Sequence, residues 1–130
     1  MRRASNGSPV IIDTCVWIEH VRAEVPLVTR LCGDGRAVAH PDIVGELLLG
    51  CGDQRELVVR RVRMLPSIDR PPPARLERLA SEHDISCRRI GWIDAVILCT
   101  ALASDDRPRV LTFDRKLLRE SIRLGVAFAA

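Results

Sequence analysis

Val10, Ile11 and Ile12 form a short β-branched run closed by Asp13-Thr14, and the apolar positions from 16 to 21 then recur at helical spacing. A strand followed by a helix is the element pair this pattern predicts. Ala37-Val38-Ala39 predicts a second strand, stopped by His40-Pro41. The segment PDIVGELLLG opens with a proline, which suits a first helical turn, and ends in a glycine, which suits a helix stop. Another helix is predicted over 53–66, charged on one side and carrying Leu57, Val58, Val62 and Leu65 on the other. The prolines at 71 to 73 impose an extended linker before a helix over 74–84. Residues 93–102 make the most apolar helical stretch, and an SDDRP turn follows. The chain closes with a strand at 110–112, a helix over 115–124 and a last strand at 126–128. Short apolar strands alternating with longer helical patterns predict an α/β domain, its mainly parallel sheet covered on both faces.

Composition narrows this further. At 130 residues and 47% hydrophobic content the chain is sized for one domain, expected over 9–130, behind a small and polar leader at 1–8 that reads as disordered. No apolar run approaches the roughly 20 residues needed to cross a bilayer, and MRRASNGSPV lacks the apolar core of a signal peptide. The expectation is a soluble cytoplasmic protein. The five cysteines, at 15, 32, 51, 87 and 99, include no C-x-x-C pair, which argues against a zinc cage and a complete disulfide framework. They read mostly as buried reduced thiols. The net charge is +3, yet 19 of the 20 basic residues are arginine, whose planar forks suit phosphate. Codon bias in a GC-rich genome produces the same enrichment.

Of the 17 acidic residues, four sit in apolar company. Asp13 follows Val-Ile-Ile, Glu46 interrupts IVGELLL, Asp94 interrupts WIDAVIL, and Asp114 follows VLTF. Burying an unpaired carboxylate costs several kcal/mol, so each requires a reason. Asp13 and Asp114 fall at the carboxyl ends of predicted strands, where sites gather in open parallel sheets, although each is also well placed to cap a helix. Asp94 lies in a first helical turn, where the dipole favours it by about 0.3 to 1 kcal/mol, less than the desolvation cost unless it stays exposed. Glu46 is mid-helix, with an arginine pair as its structural alternative.

Two like charges about 4 Å apart repel by roughly 4 kcal/mol at an effective dielectric of about 20, so four clustered carboxylates call for a cation. Oxygen donors without a histidine or cysteine pattern favour Mg²⁺ or Mn²⁺ over zinc. With these four charges assigned to metal, 20 basic groups face 13 acidic ones, a surface suited to a polyanion. Arg88 and Arg89, just before the apolar helix, and Arg115 and Lys116, just after Asp114, are candidate phosphate contacts, each equally readable as a solvated charge. His20, His40 and His83 have no motif around them and read as structural. Aromatic residues are only 3% of the chain, so base stacking is expected to contribute little.

The stretches VIIDTCVWIEHVR, DIVGELLLG, IGWIDAVILCTALA and RVLTFDRKL, with the four acids in order, resemble the PIN-domain nucleases and among them the VapC toxins of toxin-antitoxin pairs. The resemblance implies a three-layer α/β/α sandwich around a mainly parallel sheet, in which Asp13, Glu46, Asp94 and Asp114 are the metal-binding, catalytic acids. It matches Thr112 to the hydroxyl residue of a TxD element and Thr14 to the polar residue after the first acid. Cys15 departs from the serine frequent at its position. The implied activity is metal-dependent hydrolysis of RNA phosphodiesters. The implied partners are RNA, a VapB antitoxin and a second copy of the chain, with a higher toxin-antitoxin assembly as an extension. In the usual arrangement an antitoxin arginine enters the acidic cleft.

Two other classes place different demands on the residues. A phosphoacceptor domain wants an adjacent acidic pair after the first strand and a lysine after a late one, and this chain has neither. A catalytically silent RNA-binding module is the alternative that only function distinguishes.

Overall fold

A computed structural model describes residues 7–50 and 52–129; the leader expected at 1–8 falls largely outside the described residues, as does Cys51. Val10–Ile12 forms β1, all three side chains fully buried, which is why the run is β-branched and unbroken rather than alternating. It pairs in parallel with β2 (Ala37–Val38) on one side and β3 (Arg109–Leu111) on the other, Ile11 opposite Val38 and Val110. From β1 the chain crosses to β2 in one direction and then to β3 in the other, so right-handed crossovers lay helices on both faces of the sheet. This is the three-layer α/β/α sandwich expected above.

Between the strands run α1 (Thr14–Arg22), α2 (Pro26–Gly33), α3 (Pro41–Gly50), α4 (Arg55–Arg63), α5 (Pro73–Glu82), α6 (Trp92–Ala103) and α7 (Arg115–Arg123). Helix α3 matches its predicted span because Pro41 and Gly50 mark both ends. Helix α2 is not predicted by the sequence pattern, although it carries the same signals: Pro26 in its first turn, Gly33 at its end, and Val28 and Leu31 buried three positions apart. The helix predicted over 53–66 is shorter, because Gly52, at φ +57°, leads into a 3-10 turn that delays α4 to Arg55. Pro73 belongs to α5 rather than to the linker, since proline costs nothing where the first amides lack helical partners.

The strand expected at 126–128 is a single parallel bridge between Val110 and Ala127. The amide of Val110 donates to Val126 O at 2.8 Å and that of Phe128 to Val110 O at 2.9 Å, and pairing stops there. A matching bridge joins Ala39 to Ser67 at the opposite edge. Helix α6 is the central support: Val96 through Ala101 are all buried, as its unbroken apolar run requires. Helix α7 is tied to the end of α5 by Arg123, which pairs with buried Glu120 at 2.8 Å and donates to the carbonyls of His83 and Asp84.

The cysteines are less buried than expected. Cys99 is buried, Cys15 and Cys32 are half-buried, and Cys87 is exposed; all four are free thiols. No described helix is long and apolar enough to cross a membrane.

Candidate active site

Three helix starts and one helix middle meet at the carboxyl end of the sheet. Asp13 ends β1 and caps α1; only 6% of it is exposed. Its Oδ1 accepts from the Thr14 amide at 2.8 Å, and its Oδ2 accepts from the Thr112 hydroxyl at 2.7 Å and from the Cys15 thiol at 3.3 Å. Burial, more than the neighbouring Asp13 charge, pushes the Cys15 thiol up, so it remains a protonated donor. Thr112 leaves β3 one residue after the ladder ends, which turns its hydroxyl toward β1; the same oxygen accepts from the Asp114 amide at 3.0 Å. Asp114 in turn caps α7, accepting from the Leu117 amide at 3.0 Å. The capping alternative is therefore true of both Asp13 and Asp114, and it leaves each with a carboxylate at the site.

Glu46 has no arginine beside it among the described residues; instead its Oε1 accepts from the Thr14 hydroxyl at 2.6 Å. The chain of contacts Glu46–Thr14–Asp13–Thr112–Asp114 thus spans α3, α1, β3 and α7.

Asp94 differs from the others. It is half-buried in the first turn of α6, whose N-cap is Gly91, so it does not cap the helix, and among the described residues its carboxylate receives no hydrogen bond. Its pKa is pushed up to about 6, first by burial and then by the charges of Asp13, Asp114 and Glu46. The structure therefore brings all four acids into electrostatic range, and one of them carries the cost.

The donor chemistry fits a hard divalent ion: oxygen ligands, excess negative charge, and no histidine or cysteine cluster. Among the described residues no three His, Cys, Asp or Glu groups are gathered closely enough to hold a metal by themselves. Mg²⁺ ordinarily keeps several waters and takes only one or two protein carboxylates, so an open cluster suits it better than a closed cage.

The other singled-out residues are more dispersed. Arg115 and Lys116 lie exposed in the first turn of α7, next to Asp114. Arg88 is exposed before α6, while Arg89 is bound to Asp84 at 3.1 Å. His40 is fully buried: its Nδ1 accepts from the Asp42 amide at 3.1 Å, which leaves Nε2 to donate to Thr100 Oγ1 at 2.9 Å. His20 Nδ1 accepts from the Val25 amide at 3.0 Å. Both rings are thereby committed to the fold. The exposed aromatics Trp92 and Phe113, neighbours of Asp94 and Asp114, carried no signal in the sequence beyond that adjacency.

A family profile described as PIN domain matches residues 10–121. Ribonuclease VapC32 from Mycobacterium tuberculosis, in strains CDC 1551 / Oshkosh and ATCC 25618 / H37Rv, is 32% identical over 120 residues, covering 92% of this chain and 96% of the relative. The crystal structure of PAE2754 from Pyrobaculum aerophilum superposes with a TM-score of 0.59 over 91% of this chain and 90% of that one; at 16% identity it bears on the fold alone. The sandwich, the ordered acids at its carboxyl end and the profile matched across nearly the whole chain agree: the protein belongs to the PIN-domain family.

Proposed function

We propose that the protein is a divalent-metal-dependent endoribonuclease, the toxin of a type II toxin-antitoxin pair. The observation that carries this reading is Asp94, a half-buried carboxylate without a hydrogen-bond donor and held near three others. Such a group costs stability, and a bound cation offsets the cost. The name ribonuclease borne by the relatives points the same way.

Asp13 and Asp94 would hold Mg²⁺ or Mn²⁺ directly, with Glu46 and Asp114 completing the shell, through water where they do not reach. When bound, the ion supplies an activated water and neutralises charge at the leaving oxygen. The chain's own residues set the stage. Thr112 and Cys15 fix the rotamer of Asp13, leaving its oxygens aimed by three donors. Thr14 performs the same task for Glu46. Arg115 and Lys116, beside Asp114, receive substrate phosphates, with Arg88 as a further contact. No side chain is required as nucleophile, so products carry a 5′ phosphate and a 3′ hydroxyl.

The cognate partner in this reading is a VapB-type antitoxin and the working unit a cytoplasmic homodimer, open to higher assembly with the antitoxin. Val58 and Val62 of α4 are core, yet Met64 and Leu65 line a cleft of about 490 Å³ with Trp17, Val21 and Arg61, which suits an amphipathic partner helix. An antitoxin arginine entering the acidic cleft would weaken metal binding, which titration of metal against the complex measures.

The test is cleavage of end-labelled total RNA by protein stripped of co-purified antitoxin, with Mg²⁺, Mn²⁺ or chelator, beside Asp94→Asn. Discrete metal-dependent fragments, reduced about a hundredfold or more in the variant, are expected. Equal activity of both proteins, or products ending in a 2′,3′-cyclic phosphate, would overturn the reading.

A further inference from the structure

The four acids gather at the carboxyl end of the sheet, whereas its amino end carries cations. Arg36 immediately precedes β2, Arg109 opens β3, and Arg107 stands two positions earlier. Arg75, in the first turn of α5, joins them beside the end of α6. Arg75, Arg107 and Arg109 line one cleft of about 510 Å³, and Arg109 also lines an adjoining one of about 460 Å³ together with Arg36. Asp105 is the one carboxylate on either wall among the described residues. None of the four arginines forms an ion pair with a carboxylate among the described residues. Arg36 donates to Ser8 O at 2.8 Å and lies over the Phe128 ring, and Arg109 donates to Gly125 O; Arg75 and Arg107 are exposed.

Arg107 is placed there against local preference. The turn from Ser104 closes with the Arg107 amide donating to Ser104 O at 3.2 Å, and Arg107 adopts φ +52°. The last position of such a turn favours glycine, left-handed backbone penalises any side chain, and the residue before a proline is ordinarily extended. Glycine would sit there with less strain. An arginine in this conformation, anchored by buried Pro108, calls for a reason outside the turn.

Guanidiniums without carboxylate partners repel one another, and a row of them suits a chain of phosphates better than a single anion. Phe128, the one aromatic ring on either wall, is already covered by Arg36, so the surface addresses backbone rather than bases. RNA carries a phosphate on every nucleotide, in the geometry that planar forks match; an acidic polypeptide would have to order a flexible side chain for each contact.

We propose that the arginines at the amino end of the sheet, Arg75 and Arg107 foremost, form a second surface for the RNA phosphate backbone, at the opposite end from the acids. The proposal rests on the ribonuclease reading and deepens it: the acids cut, and the far end grips a stretch of the same molecule remote from the scissile bond. Strands of three residues rise only about 10 Å, so one RNA chain can reach from end to end.

The experiment measures anisotropy of labelled oligouridylate and oligoadenylate of equal length at stepped salt concentrations, with chelator present so that nothing is cut. Arg75→Gln and Arg107→Gly should each weaken both oligomers alike and reduce the slope of log affinity against log salt by about 0.7. Arg107→Lys should recover the slope, and Arg107→Gly should melt no lower than wild type, since glycine relieves the turn. Should Arg107→Gly melt lower, Arg75→Gln, whose side chain makes no described bond, decides the matter alone. Unchanged affinity and slope in the double variant, or a loss confined to one base, would overturn the proposal. So would lost binding of oligoglutamate with RNA binding intact, the signature of an acidic protein segment. If the variants bind as wild type while metal-dependent cleavage persists, only this inference falls; if the slope falls as expected and no RNA is cut, the surface stands and the nuclease reading is removed.

Discussion

Asp94 and Thr112 illustrate opposite fates for a polar side chain at one site. The hydroxyl of Thr112 is fully used, donating to Asp13 and accepting from the Asp114 amide. Thr112→Val keeps the shape and removes both bonds, leaving a buried carboxylate oxygen and an amide short of a partner. A loss of about 1 to 3 kcal/mol is expected from denaturant unfolding, together with reduced cleavage; unchanged stability would mean that water replaces the hydroxyl. At Asp94 the acid itself is the burden, so Asp94→Asn should raise stability near neutral pH, on the order of 1 kcal/mol after allowing for its half exposure. The four acids were legible in the sequence because each breaks an apolar run, and such breaks are costly. The bond from Thr112 to Asp13 and the exposure of Phe113 were not, since they depend on how β1 and β3 come side by side across about a hundred residues of chain.

Among the elements, α7 separates a structural role from an electrostatic one. Asp114 caps it through the Leu117 amide and also contributes charge to Asp94. Asparagine caps as well as aspartate, whereas alanine does not. Asp114→Asn should therefore hold the melting temperature and still impair cleavage, while Asp114→Ala loses about 0.5 to 2 kcal/mol as well. Thermal melts of the two variants decide this, and a destabilised Asn variant would assign the carboxylate a role in the fold that capping does not explain. Elements with terminal punctuation, such as α3, were legible nearly to the residue. Helix α2 escaped because only two of its side chains are buried, too short a stripe to establish a period. The apolar pattern predicts a longer final strand than forms: Gly125, at φ +74°, turns the chain back to the sheet in time for a single bridge.

For the molecule as a whole, one half-buried acid and one buried histidine give opposite responses to acid. Asp94 has its pKa raised from 3.8 to about 6, so its neutral form favours the fold; that contribution is complete below the lower value and lost as pH rises through the upper. His40 is lowered from 6.5 to about 4 by burial, so its contribution is complete above the upper value and lost as pH falls toward the lower. The Asp42 amide, which occupies Nδ1, also leaves no room there for a proton. The windows overlap and the slopes largely cancel, so wild-type stability should vary little between about pH 4 and about pH 6.5. Removing the acid unmasks the histidine: Asp94→Asn should lose stability steadily on acidification across that range. Denaturant midpoints at stepped pH measure it, and parallel curves for the two proteins would refute the raised pKa. The two-sided sheet was legible from the unbroken apolar strands, whereas this balance was not, because it depends on how deeply the fold buries His40 and Asp94, which lie far apart in the chain.

The bridges at Ser67 and Ala127 have a further consequence for the life of the chain in a crowded cell. An open parallel sheet ends in strands whose outward amides and carbonyls can recruit another chain, the route to domain swapping and fibre growth. Here Ala39 on one flank and Val110 on the other already exchange their backbone bonds with Pro66 and Ile68, and with Val126 and Phe128. Each covering segment pairs at a single residue, too briefly to serve as a template in its own right. Those few atoms guard both flanks of the sheet against polymerisation.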